Sequence, residues 1–391
     1  MIIILKIIIL IIGAYIMNLY ILFPLTTNND LLKLGFVPYY LARNFDYNST
    51  FINFNNDDYS YLENDLSELN MDIIERKYPF DFLNIIRYLR KNAKNIDILQ
   101  CFHYSIPTFT YFFIYKLFNR KGKIYFKIDT DYNTALRLNG FKKGLRYKFE
   151  TKMSIFLFKH LIDFASIETK KAQNVFLESH NIYKEKMYYL PCTVNLDTEI
   201  KKEKKNIIIS VGRIGSHQKA SEIVLEAFKK VKTQTDNDWI LKMVGPISEQ
   251  FHEYIKQFFK DNPKLKESII FTGNIIDRNE LFEIFAEAKI FCLPSRYGSF
   301  EIVFTEALFY EDYLLVSDVG IGKYLVDNTN FGQIVEIDDV EDISKKMIEA
   351  IENYDANVHN TNMDFKKYIN DEFSPEKYAK LIDGEFRKLF K

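Results

Sequence analysis

Residues 207–227, IIISVGRIGSHQKASEIVLEA, set Gly212, Gly215, Arg213 and Lys219 between an apolar run and an amphipathic one. Glycines let backbone N–H groups approach an anion, and the start of a helix favours negative charge. Arg213 and Lys219 add two formal charges, which gives the segment the make-up of a diphosphate site. The plainer alternative is an ordinary strand-to-helix turn with solvated basic residues, and a short glycine-and-basic loop does not decide between the two. Residues 291–310, FCLPSRYGSFEIVFTEALFY, repeat the arrangement with acids. The apolar run ends at Pro294-Ser295, Gly298 lies in the loop, and Glu306 falls on the following helix. A carboxylate there can accept two hydrogen bonds from a ribose diol. Otherwise Glu301 is a first-turn acid favoured by the helix dipole, and Glu306 is solvated.

The first half offers fewer such groups. His103 follows the run DILQCF, and Asp129 and Asp131 follow YFKI, so all three sit at strand carboxyl ends. His103 and Asp129 are the candidate catalytic pair; the alternatives are a packed or capping histidine and a turn carboxylate. Residues 140–162, GFKKGLRYKFETKMSIFLFKHLI, interleave Lys142, Lys143, Arg146, Lys148, Lys152 and Lys159 with Phe141, Leu145, Phe149, Phe156 and Phe158, against the single acid Glu150. A basic, aromatic helix suits an anionic membrane surface. It could equally be a surface helix with one buried face and solvated lysines.

Short β-rich runs alternate with helix-like stretches, which is the pattern of a parallel sheet covered on both faces. Strands are expected at 18–25, 49–54, 96–102, 123–128 and 163–167, with helices at 80–93 and 109–118. After the charged stretch Lys201-Lys-Glu-Lys-Lys205, taken as a linker or its edge, the alternation restarts. Strands are expected at 206–211, 239–244, 268–272, 290–293 and 313–317. Helices are expected at 220–231, 254–259, 278–288 and 343–353. Ser374-Pro375-Glu376 has the composition of a helix start, with a capping serine, proline at the first position and then an acid. Two doubly wound α/β halves follow, with ligand expected at the strand carboxyl ends.

The chain has 391 residues, enough for two or three domains, and 47% of them are hydrophobic, which excludes a mostly disordered chain. A net charge of −1 argues against a nucleic-acid partner. Three cysteines without a CxxC pair, and six histidines without HExxH, point to no disulfide framework and no dedicated metal centre. Residues 1–16, MIIILKIIILIIGAYI, are nearly all apolar. They could be a membrane anchor, a signal peptide without a small-x-small cleavage site, or an extension upstream of a start at Met17. The third reading leaves 18–25 free to form the first strand of a sheet.

Val211, Gly212, Arg213 and Lys219, then Val244-Gly245-Pro246, Phe271-Thr-Gly-Asn274, Pro294, Ser295, Phe300, Glu306, Ala307 and Val316-Ser-Asp-Val-Gly320, occur in an order that resembles the family 4 retaining glycosyltransferases of the GT-B fold. The resemblance covers residues 206–340. It implies two Rossmann-like doubly wound domains with a donor cleft between them: an acceptor domain over 17–198, a nucleotide-sugar domain over 199–372, and a final helix at 373–391 packing back on the first. It implies a UDP- or GDP-sugar donor as substrate, with no separate cofactor and no metal. Gly212, Arg213, Lys219, Gly245, Ser295, Gly298, Glu301 and Glu306 would form the donor site, with Arg213 and Lys219 on the diphosphate and Glu306 on the ribose. The sequence departs from the family at Gly298, where the first of two glutamates eight positions apart would fall; Glu306 fits the second. Eight positions on a helix turn through about 80°, but the five from Glu301 to Glu306 turn through about 140°, so Glu301 is expected to point elsewhere. Ala220 stands where glycine commonly follows the lysine.

The function this implies is a bacterial hexosyltransferase of polysaccharide biosynthesis, acting on a cell-surface glycan or lipid-linked acceptor. It would be cytoplasmic and peripheral on the inner face of the membrane. The rival readings are a non-catalytic GT-B partner subunit of another transferase and a UDP-sugar epimerase-like enzyme of the same fold.

Overall fold

The computed structural model describes residues 15–54, 59–63, 65–139, 145–196 and 200–391. Most of the apolar segment 1–16, with Phe141, Lys142 and Lys143, lies outside the described residues. The chain divides into two units, one comprising residues 1–195 with 373–391 and the other residues 196–372.

The first unit is built on a seven-stranded sheet of β1 (Met17–Leu22), β2 (Tyr47–Asn53), β3 (Leu69–Ile73), β4 (Ile98–Phe102), β5 (Lys123–Ile128), β6 (Phe164–Ile167) and β7 (Met187–Tyr189). The spatial order is β3-β2-β1-β4-β5-β6-β7, and every pairing is parallel. Parallel strands covered on both faces need apolar side chains on both, and every residue of β4 and β6 is buried. One face packs Ile85, Leu89, Phe109, Phe112 and Phe158 from the helices Asp81–Asn92, Ile106–Phe118 and Leu145–Leu161. The other face packs Phe36, Leu41, Tyr378, Ile382 and Phe386. The last three come from the helix Pro375–Leu389, capped by the Ser374 hydroxyl accepting from Lys377 N–H. The Phe386 ring lies edge-on to Tyr125 and Phe164 at 5.6 and 5.3 Å. Tyr47 Oη donates to Asp383 Oδ1 at 3.1 Å and ties the same helix to β2.

The second unit has a six-stranded parallel sheet of β8 (Ile207–Val211), β9 (Ile240–Val244), β10 (Ile269–Gly273), β11 (Ile290–Leu293), β12 (Tyr313–Val316) and β13 (Gly332–Ile334). Its order is β10-β9-β8-β11-β12-β13. The strand order therefore reverses between β8 and β11, as it does between β1 and β4 in the first unit. Loops leaving two such strands diverge to opposite sides of the sheet and open a crevice at their carboxyl ends. The charged stretch 201–205 packs on this unit. Lys204 Nζ pairs with the fully buried Asp312 at 2.6 Å, and Lys205 Nζ with Glu287 at 2.9 Å.

Several expected element boundaries move. The first strand ends at Leu22, just before Phe23-Pro24, and the helix expected at 254–259 runs from Glu249 to Asp261. β3, β7 and β13 were not expected as strands.

Candidate functional site

The turn after β8 is tied to the one after β9 by backbone hydrogen bonds. Gly212 N–H donates to Val244 O at 2.9 Å and Ile214 N–H to Pro246 O at 2.9 Å, so the turn runs beside the one after β9. A Cβ on Gly245 would stand 2.0 Å from Gly212 O, and its φ of 133° is open to glycine alone, which makes Gly245 the residue that permits this approach. The aliphatic stem of Lys219 lies across Gly212, with Cε 3.3 Å from where a Cβ would be. Ala220 then caps the helix Ser221–Gln234 in the left-handed region, φ 51° and ψ 43°, fully buried. That conformation accounts for glycine being the commoner residue at this position.

The loop after β11 meets this turn. Arg296 N–H donates to Gln218 O at 2.8 Å. The Arg296 guanidinium donates to His217 O at 2.7 Å, Glu222 Oε1 at 2.5 Å and Asp338 Oδ1 at 2.6 Å. Gln218 Nε2 donates to Tyr297 O at 2.9 Å, and its Oε1 accepts from Arg213 Nη2 at 2.5 Å. Lys219 and Glu301 form an ion pair with side chains 12% and 5% exposed. Arg213, Lys219, Gly298 and Glu301 thus come together around the switch point of the second unit.

The structure corrects the expectation for Glu301. The helix does not begin until Ile302, and Glu301 is its N-cap in the left-handed region, φ 66° and ψ 68°. The positions 298–301 are loop, so helical rotation does not govern them. The Glu301 side chain turns back over Gly298, with Oε1 2.2 Å from where a Cβ at 298 would stand.

Glu306 is not the solvated residue of the alternative reading: it is 2% exposed. Its Oε1 is paired with Arg278, the first residue of the helix Arg278–Glu287. Among the described residues, Glu306 Oε2 and Ser295 Oγ are buried without a hydrogen-bond partner. Burying a polar oxygen unpaired costs on the order of 1–3 kcal/mol, so each of these two oxygens keeps hydrogen-bonding capacity that the described residues do not use. Arg278 and Arg296 were not singled out in the sequence, because nothing local to either points to a partner dozens of residues away.

In the first unit, β4 and β5 are neighbours, and the residues just past them meet. His103 Nδ1 lies 3.9 Å from Asp129 Oδ2, with side chains 59% and 37% exposed. His103 holds a left-handed φ of 58°, an unusual conformation for a non-glycine residue. Its exposed ring lies 5.9 Å from that of Phe23, and the following helix is capped by Ser105 and not by His103. Asp131, by contrast, is a cap: its Oδ1 accepts from Thr134 N–H at 3.0 Å and starts the helix Tyr132–Leu138. Beneath the pair, Lys127 Nζ meets Glu168 Oε1 at 3.2 Å, and Cys192 Sγ donates to the same oxygen at 3.0 Å. Burial raises the Glu168 carboxyl. Burial alone would lower Lys127, but Glu168 beside it prevails and raises it. Among the described residues no three His, Cys, Asp or Glu side chains are grouped to hold a metal ion.

Residues 195–371 match the family model described as Glycosyl transferases group 1. An uncharacterized 41.2 kDa protein in the cps region of Klebsiella pneumoniae is 25% identical over 184 residues. That match takes in 47% of this chain and 45% of the relative, so the chain spans less than half of the curated relative it matches. HepE of Anabaena, crystallised with UDP and glucose, has a similar structure: TM-score 0.69 at 11% identity, covering 95% of this chain and all of that one. WaaG, a glycosyltransferase involved in lipopolysaccharide biosynthesis, has a TM-score of 0.66 at 16% identity, covering 94% of this chain and 100% of that one. The two sheets, of seven and six parallel strands, are those of the GT-B fold, and residues 195–371 form a glycosyl transferases group 1 domain within it.

Proposed function

We propose that the protein is a retaining glycosyltransferase of the family 4 type, moving a hexosyl group from a UDP- or GDP-sugar to a cell-surface glycan or its lipid carrier. The observation that carries this reading is the buried Glu306 carboxylate, with one oxygen held by Arg278 and the other unpartnered, on the segment that also leaves Ser295 Oγ unsatisfied. A ribose diol donates two hydrogen bonds and fits such a carboxylate. Arg213 and Lys219 hold the diphosphate and stabilise the charge that develops on it as the glycosyl bond breaks, the largest electrostatic contribution to such a reaction. Donors fixed before the reaction cost no reorganisation during it, and Gln218 and Glu301 already hold these two cations in place. On the first unit, His103 and Asp129 take the acceptor side, as an imidazole and a carboxylate within reach of a hydroxyl proton. One ground for the partner-subunit reading is the missing carboxylate at 298, and Glu301 brings a carboxylate to that space.

An anionic membrane surface is part of the proposal. On the helix Leu145–Leu161, Phe149, Met153 and Phe156 are exposed in one stripe, with Lys148, Lys152 and Lys159 exposed beside them. On the neighbouring helix Ile106–Phe118, Phe113 and Leu117 are exposed as well. None of the described helices is long and apolar enough to cross a membrane.

Calorimetric titration with UDP, GDP and their sugars tests the donor reading. One nucleotide should bind wild type, and Glu306→Gln and Arg213→Ala/Lys219→Ala should each weaken it about tenfold or more. Equal affinity in wild type and variants would refute it. Sedimentation with vesicles of anionic or neutral lipid, using Phe149→Ser/Phe156→Ser as the control, tests the membrane part in the same preparation.

A further inference from the structure

We propose that Glu301 is the residue that reads the glycosyl group of the donor, delivering its carboxylate across Gly298 from a left-handed loop position. This rests on the donor reading above and assigns a role within it. A left-handed conformation strains a residue with a Cβ, and such strain persists where the surroundings fix it, most often at functional sites. The strain at Glu301 is not spent on capping, because its side chain makes no hydrogen bond to the helix it precedes. The carboxylate instead turns back and is buried, 5% exposed, against Lys219. Lys219 takes Oε2, and Oε1 has only a 3.4 Å contact from Gln218 Nε2. A carboxylate can accept about four hydrogen bonds, so capacity remains on an oxygen whose position is already set.

Gly298 makes this possible. A Cβ at 298 would lie 2.2 Å from Glu301 Oε1 and 2.9 Å from its Cδ, so the two positions cannot both carry a side chain in this arrangement. Position 298 is not in the left-handed region, so glycine is needed there for space and not for backbone angle. The ligand chemistry follows from the neighbour. Lys219, the cation that meets Glu301, also faces the diphosphate in the donor reading, and the group joined to that diphosphate is a polyol. Its hydroxyls donate, and a fixed carboxylate accepts.

The rival role for Glu301 is to neutralise Lys219 and no more, which would affect nucleotide and nucleotide-sugar alike. The test is therefore a ratio. Full-length protein is titrated calorimetrically with UDP and with UDP-glucose, UDP-galactose and UDP-N-acetylglucosamine, or with GDP and GDP-mannose if GDP is the nucleotide that binds. In wild type at least one sugar should tighten binding relative to the bare nucleotide. Glu301→Gln and Glu301→Gly should each reduce that advantage about tenfold, whatever they do to the nucleotide itself. The exchange Gly298→Glu/Glu301→Gly removes the left-handed strain, clears the space and restores a carboxylate, so it should recover most of the advantage. The inference is overturned if both single variants keep the advantage, if nucleotide and nucleotide-sugar weaken equally, or if wild type binds a nucleotide without preferring any of these sugars. Failure of wild type to bind any nucleotide would remove the donor reading itself.

Discussion

Replacing Arg296 tests whether the two loops of the second unit act as one body. Its guanidinium bridges three segments: the turn after β8 through His217 O, the following helix through Glu222, and the segment after β13 through Asp338. The Arg296 side chain is 13% exposed, while Glu222 and Asp338 are 32% and 52% exposed. Charged hydrogen bonds contribute roughly 1.5–3 kcal/mol each when well buried, but exposed partners regain water when the arginine is removed. Discounting the Asp338 contact fully and the partly exposed His217 and Glu222 contacts by about half leaves about 2–3 kcal/mol for Arg296→Ala. The unit spans residues 196–372, and for a domain of that size 1 kcal/mol shifts Tm by about 2–4 °C, so the expected fall is about 4–12 °C. The assay is thermal unfolding followed by circular dichroism, with calorimetry to resolve the two units separately. Arg296→Lys should recover less than half of the loss, because an ammonium cannot span three acceptors in a plane. A fall below about 1 °C, or full recovery by lysine, would refute the clamp.

Two further outcomes follow from the same site and its surroundings. Ala220→Gly should leave the urea midpoint unchanged or raised, since relief of about 1–2 kcal/mol of left-handed strain offsets the loss of one buried methyl, about 0.8 kcal/mol; Ala220→Val should lower stability by about 2 kcal/mol or more. Asp312 is buried and its carboxyl is pushed up to about 8, with Lys204 pulling the other way. Native protein then holds a proton that the unfolded chain releases near pH 4, and stability falls as pH rises from about 4 through about 8. Asp312→Asn removes that slope. The difference in Tm between pH 5 and pH 8 should be smaller in the variant than in wild type; equal differences would rule out this assignment.

The central strands were legible in the sequence and the edges were not. Ile290–Leu293 and Lys123–Ile128 have the bounds expected from their apolar runs, because a central parallel strand must be apolar on both faces. β3 buries one residue in five and β13 none. An edge strand is covered on fewer sides, so LNMDI and GQI carry no apolar run to find. The loops after β8 and β11 were legible as glycine and charge after apolar runs, and Glu306 as a carboxylate on the following helix. Arg278 and Arg296 were not, because each pairs across tens of residues, and sequence spacing says nothing about what a long side chain reaches through space. The rotation argument for Glu301 failed for a definite reason. It applied helical rotation to 298–301, whereas Glu301 is the left-handed N-cap and the helix begins only at Ile302.

The first unit is discontinuous: the chain leaves it after Asn195 and returns at Phe373, where Val194 N–H donates to Phe373 O at 3.2 Å. The departing and returning chains therefore touch, and in sequence the second unit is an insertion between two adjacent points of the first. This sets an order of synthesis. Residues 196–372 leave the ribosome as a whole sheet with its own core, while the face formed by Tyr47, Tyr125 and Phe164 must wait for Phe386 to cover it. The nascent first unit carries an open apolar face until Phe386 is made. The half that is translated first is the half that finishes folding last.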